Sequence, residues 1–226
     1  MVRVKICGLT RIDEALACAL AGADWIGLNF HPGSPRHVQP REAGEIIAAL
    51  PASASAVGVF VDRPAAEVAE VADRLGLGIV QLHGREPPED LLALDHLQII
   101  RAFRPDGASA WSGVTDYLAR ARAAGRLPDA VLIDAYAAGR PGGTGKTIAD
   151  DVLDCIPPLH RLILAGGLTP QNVAERVARV RPWMVDVAGG VERAPGRKDL
   201  ERVAAFIRAA RSVELPEKVD KHHQGL

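Results

Sequence analysis

Short β-branched runs alternate strictly with Ala-rich stretches of helical spacing along this chain. The runs are Val2–Cys7, Asp24–Phe30, Ala56–Asp62, Gly78–His83, Leu97–Phe103, Ala130–Asp134, Arg161–Ala165 and Met184–Ala188. Each is apolar almost throughout, as a strand covered on both faces must be. Between and after them lie the helix candidates Arg11–Ala21, Arg41–Leu50, Ala65–Leu75, Pro88–Asp95, Ser109–Ala124, Ile148–Ile156, Pro170–Val180 and Asp199–Arg211. Pro40 and Pro64 suit a first helical turn, and Gly22, Gly76 and Gly125 fall where a left-handed cap is wanted.

Repeated strand–helix units predict an α/β fold, a single-domain (β/α)8 TIM barrel. The rival is an open doubly wound sheet, which when it binds dinucleotides carries an early G-x-G-x-x-G; none occurs here. The 226 residues also sit near the roughly 250 of one barrel. The barrel is expected over residues 1–212, and residues 213–226, which lose the pattern, read as a loosely held tail.

Composition narrows the function classes. A net charge of −1 sets up no field for nucleic acid or an anionic membrane. Cys7, Cys18 and Cys155 are odd in number and widely spaced, which indicates neither a disulfide framework nor a zinc site. The N-terminal residues MVRVKICGLT place charges where a signal peptide needs its apolar run, and no apolar stretch reaches ~18 residues. The expectation is a cytoplasmic protein with no nucleic-acid or membrane partner and no zinc site.

In a barrel of this type the active site lies at the carboxyl ends of the strands. Those ends carry Cys7, His83, Asp134 and Asp186, and the loop after the second strand carries Arg36. Gly166-Gly167 and Gly189-Gly190 follow the seventh and eighth strands, where barrels often bind phosphate through backbone N–H groups. Cys7 is either a small buried apolar residue or a thiolate base beside Gly8. Asp134 closes an apolar strand, where an aspartate seldom serves packing. Arg36 is either a solvated side chain or a planar fork for a carboxylate. His83 is a pocket wall or a capped strand end, and Asp186 orients a substrate hydroxyl or bonds a loop. Gly142–Thr147 (GGTGKT) fails the Walker pattern, because position 140 is Arg, and reads better as a loop that covers substrate.

Taken together, VKICGLT, NFHPGSPR, VGVFVD, VQLHG, LID, GGTGKT, LAGGLTPQNV, VDVAGGVE and PGRKD resemble the phosphoribosylanthranilate isomerase family, in order, over residues 2–211. The resemblance implies an Amadori rearrangement of a small-molecule substrate, N-(5-phosphoribosyl)anthranilate, in tryptophan biosynthesis, by a monomer or homodimer that needs no metal and no organic cofactor. It implies Cys7 as general base, Asp134 as general acid, Arg36 facing the anthranilate carboxylate, and the loops after strands seven and eight holding phosphate. Two departures stand out: Gly189 where the family commonly has serine, and a strand-six loop lengthened by Ala135–Arg140. The rivals are the histidine-pathway aminoaldose isomerase, which has an aspartate where Cys7 stands, and a non-catalytic barrel that binds phosphoesters.

Overall fold

The computed structural model describes residues 1–105, 111–134 and 153–214. Eight strands close into a parallel barrel in sequence order, β1 pairing with β8. They are β1 Arg3–Cys7, β2 Trp25–Asn29, β3 Ser55–Phe60, β4 Ile79–Leu82, β5 Gln98–Phe103, β6 Ala130–Asp134, β7 Leu162–Ala165 and β8 Met184–Val187. Outside them run α1 Ile12–Leu20, α2 Pro40–Ala49, α3 Ala65–Leu75, α4 Trp111–Ala123, α5 Val173–Val180 and α6 Leu200–Arg211. The TIM-barrel expectation therefore holds. Most of Ile148–Ile156, the GGTGKT loop, Ala135–Arg140 and positions 215–226 lie outside the described residues.

Strand parity sorts the side chains into two cores. Inside the barrel, Trp25, Val57, Ile79, Ile100, Ala102, Ala130, Leu132, Ile163, Ala165 and Met184 pack together. The alternate positions, such as Val4, Ile6, Val131, Ile133, Val185 and Val187, pack outward against the helices. Residue 7 of β1, residue 134 of β6 and residue 186 of β8 share the parity of the inner set, so the chemistry sits on the inner face.

The helix stops follow the glycines. Gly76 caps α3 in the left-handed conformation (φ 64°), and Gly22 and Gly125 also take positive φ just past α1 and α4. Pro40 opens α2. Three expectations are corrected. Pro88–Leu94 is a 3-10 helix, because its buried Pro88, Leu91 and Leu94 recur every third residue, the 3-10 period. Helix α5 begins at Val173 rather than Pro170: the Asn172 carboxamide accepts from the Thr169 N–H and donates to the Gly167 carbonyl, so a side-chain turn occupies that stretch. After β8 a short 3-10 turn, Gly189–Val191, leads into a small antiparallel hairpin, β9 Glu192–Ala194 and β10 Arg197–Lys198, which the apolar pattern did not signal. Buried Glu14 of α1 holds it, accepting from Arg197 Nε (2.9 Å) and the Lys198 N–H (2.8 Å).

Candidate active site

Two polar constellations line the carboxyl-end mouth, one built from β8, β1 and β2 and the other from β4, β5 and β6. They stand on opposite sides of the ring, with β3 between them on one side and β7 on the other.

The first centres on Cys7. Its thiol packs against Gly27 of β2, where an added Cβ would lie 2.7 Å from Sγ, so glycine is what makes room for the sulfur. Gly8 follows with φ 78°, and Arg36 covers it so closely that a Cβ there would meet Cδ at 2.5 Å. Burial pushes the Cys7 thiol above its ordinary value, and the Lys5 and Lys198 ammonium groups offset only part of that rise. Lys5, two residues earlier on the same face, is fully buried and bonds Asp186 Oδ1 at 3.1 Å; β1 and β8 pair in register at these two residues.

Arg36 is held, not loose. Its Nε and one terminal nitrogen donate to both oxygens of Glu192, at 2.8 and 2.6 Å. Glu192 also accepts from Lys198 Nζ (2.8 Å) and from the Gly196 N–H (3.3 Å). Burial would raise the Glu192 carboxyl, but Arg36 and Lys198 outweigh it and hold it below the usual carboxylate range. Lys198, buried too, donates to the carbonyls of Cys7 (2.6 Å) and Ala188 (3.2 Å). Through these bonds the hairpin fixes the ends of β1 and β8 and the angle of Arg36.

The second constellation centres on Asp134. His83 Nε2 stands 3.5 Å from Asp134 Oδ2, and Arg104 Nε stands 3.9 Å from the same oxygen. Gln81 Nε2 lies 2.6 Å from His83 Nδ1. With the amide donating there, the ring proton sits on Nε2, toward Asp134. Behind β4, Glu86 accepts the N–H groups of Asp62 and Gly84 and pairs with Arg101 at 3.3 Å. Arg101 in turn donates to the Leu82, Gly84 and Ala102 carbonyls and faces away from the barrel interior. This outer pair fixes the loop that carries His83.

The glycine loops meet between the two constellations. Gly166 and Gly167 both take positive φ (88° and 63°). At Gly190 an added Cβ would run into the Leu168 carbonyl oxygen, so the loops after β7 and β8 are in direct contact there. Gly189 opens the 3-10 turn.

Cys7, Arg36, His83, Asp134, Asp186 and the glycines at 166, 167, 189 and 190 thus lie at the strand ends or loops of this mouth. Lys5, Gln81, Glu192 and Lys198 were not singled out. A lysine inside an apolar strand was the available signal for Lys5. For Glu192 and Lys198 it was their place in VDVAGGVE and PGRKD, motifs quoted without a role. Among the described residues no cluster of His, Cys, Asp and Glu could hold a metal ion.

The profile of the family described as N-(5'phosphoribosyl)anthranilate (PRA) isomerase matches residues 4–209. An N-(5'-phosphoribosyl)anthranilate isomerase of Geobacter sulfurreducens is 48% identical over 93% of this chain and 99% of its own. That of Geobacter metallireducens is 46% identical over 94% of this chain and 100% of its own. Among solved structures, the phosphoribosyl anthranilate isomerase of Thermotoga maritima superposes with TM-score 0.82 at 36% identity, covering 94% of this chain and 100% of its own. A structure of such an isomerase in complex with reduced 1-(o-carboxyphenylamino)-1-deoxyribulose 5-phosphate superposes with TM-score 0.78 at 33% identity, covering 94% and 100%. A further Thermotoga maritima structure is of monomers generated from a dimeric isomerase of this kind.

Proposed function

The chain belongs to the N-(5'-phosphoribosyl)anthranilate isomerase family, and on that footing we propose that Cys7 and Asp134 are the base and acid of its Amadori rearrangement. The protein is an isomerase whose substrate is a small molecule, the phosphoribosyl conjugate of anthranilate. The observation that carries the residue assignment is the placement of a thiol and a carboxyl on the inner face at opposite sides of one mouth.

The steps follow from that placement. Asp134 gives its proton to the ribose ring oxygen; the C1′–O bond breaks and the anilino nitrogen's lone pair forms the Schiff base. His83 and Arg104 flank the Asp134 Oδ2 at 3.5 and 3.9 Å. Cys7, as thiolate, removes the C2′ proton, and the electron pair moves into the C1′–C2′ bond to give an enolamine. That species tautomerises to the 1-deoxyribulose product. Arg36, its angle fixed by Glu192, faces the anthranilate carboxylate. Asp186 orients a substrate hydroxyl, and His83 lines the sugar pocket. The backbones of Gly166, Gly167, Gly189 and Gly190 hold the phosphate; with Gly189 in place of serine, main-chain N–H groups carry that contact.

We also infer a catalytic unit over residues 1–212 with 213–226 appended, a reducing cytoplasmic setting that keeps Cys7 free, and a monomer or homodimer. Among the described residues no helix is long and apolar enough to cross a membrane. The test is a fluorescence assay of phosphoribosylanthranilate consumption. Turnover lost in both Cys7→Ala and Asp134→Asn is the expected result. Turnover kept in either variant, or turnover of the histidine-pathway aminoaldose in place of the anthranilate conjugate, overturns the assignment.

A further inference from the structure

We propose that Lys5 is a positioning residue for the reaction: its buried ammonium, oriented by Asp186, is the fixed cation that favours the thiolate form of Cys7 against the surrounding apolar interior. This rests on the reading of Cys7 as the base, and goes beyond it by naming the group that makes a partly buried thiol usable.

The geometry comes first. The barrel interior is filled by apolar side chains up to the layer of Lys5, Gln81 and Asp186, the buried polar groups on the inner face of these strands. Lys5 is 0% exposed, so its charge cannot be solvated by water. A buried Lys–carboxylate pair is poor value for stability, since apolar residues of similar volume often do as well or better. Ordinary barrels fill such layers with Val, Ile and Leu. The pair therefore calls for another reason to stand there. Lys5 precedes Cys7 by two residues, so both side chains leave β1 on the same face. The ammonium carries more protons than the one that Asp186 Oδ1 accepts, and its charge favours the Cys7 thiolate.

The charges facing Cys7 come from every element around it. They are Lys5 on β1, Asp186 on β8, Lys198 and Glu192 on the hairpin, and Arg36 on the loop after β2. Glu192 is already engaged by both Arg36 and Lys198. Lys198 spends its other donors on the Cys7 and Ala188 carbonyls. Burial and the Asp186 carboxylate oppose the Cys7 thiolate, whereas Lys5, on the same strand face as the thiol, and Lys198 favour it. Asp186 keeps Lys5 protonated against its own burial.

The test titrates the thiol directly, so it does not depend on turnover. In a Cys155→Ser background, which removes the exposed thiol, Cys7 is alkylated with iodoacetamide from pH 6 to pH 10 and the modified peptide is followed by mass spectrometry. Lys5→Met/Asp186→Asn leaves no unpaired buried charge, so it folds. Its alkylation midpoint is expected to move up by about one pH unit or more, with tenfold slower alkylation at a fixed pH below both midpoints. The limiting rate at high pH is expected to stay within about twofold, because thiol access is unchanged. The single variant Lys5→Met shifts the midpoint in the same direction and further, since Asp186 then acts alone. A midpoint within a few tenths of the parent's in both variants overturns the proposal even if Cys7→Ala is inactive. An active Cys7→Ala overturns the assignment of the base instead and leaves the titration to be read on its own terms.

Discussion

Replacing Glu192 by Ala removes the anion on which the mouth's cations converge. Its side chain is 4% exposed and accepts four hydrogen bonds, two from Arg36, one from Lys198 and one from the Gly196 N–H. Truncation leaves Lys198 fully buried with carbonyl partners only, and leaves the half-buried Arg36 fork with nothing to hold it. Each charge-assisted bond is worth about 1.5–3 kcal/mol, but the four share one carboxylate and do not add. Breaking a buried pair from one side costs about 3–5 kcal/mol. For a chain of this length that lowers the thermal midpoint by about 6–20 °C. Differential scanning fluorimetry reads the shift, and a steady-state assay reads the second consequence. With Arg36 free to swing, KM is expected to rise more than kcat falls, because Arg36 faces a carboxylate that does not react. The pH dependence has a definite sign. The folded Glu192 carboxyl lies below its ordinary value, so its stabilisation is complete above the unfolded glutamate's titration and is lost as pH falls through the lower, folded one. The stability gap between parent and Glu192→Gln is thus expected to be wide at pH 7 and to close on acidification below about pH 4. A Glu192→Ala midpoint within about 2 °C of the parent's would refute the view that this carboxylate anchors the site.

Cys7→Ala and Asp134→Asn are each expected to lower kcat by more than ~10²-fold while the thermal midpoint moves little, as measured on the same preparations. Gly190→Ala pushes a methyl into the Leu168 carbonyl; it is expected to cost about 1–3 kcal/mol and to weaken the thermal protection given by inorganic phosphate, and an unchanged phosphate response would count against a shared anion seat. Phe206, fully buried where α6 packs on the barrel, is expected to cost about 3–5 kcal/mol as Phe206→Ala, read from the denaturant midpoint; a loss under 1 kcal/mol would mean α6 is not part of the core.

Local chemistry in the chain determined much of this protein. Apolar runs long enough for one strand, prolines at helix starts and glycines just past helix ends predicted the eight strands and their α/β order, because these signals act within a few residues. They also put Cys7, His83, Asp134 and Asp186 at strand ends, and hence at one mouth. The 3-10 helix at Pro88–Leu94 was legible in principle from a spacing of three, but a short apolar stretch between strands reads as either helix type.

Ring closure decided the rest. Lys5 meets Asp186 across 181 residues and Arg36 meets Glu192 across 156. Neither pair has a local signature, since a charged residue in a strand says that it needs a counter-charge but not which one. Closing β8 onto β1 brings those partners together in a space water does not reach, and there a lysine and a glutamate acquire roles that sequence spacing could not assign to them.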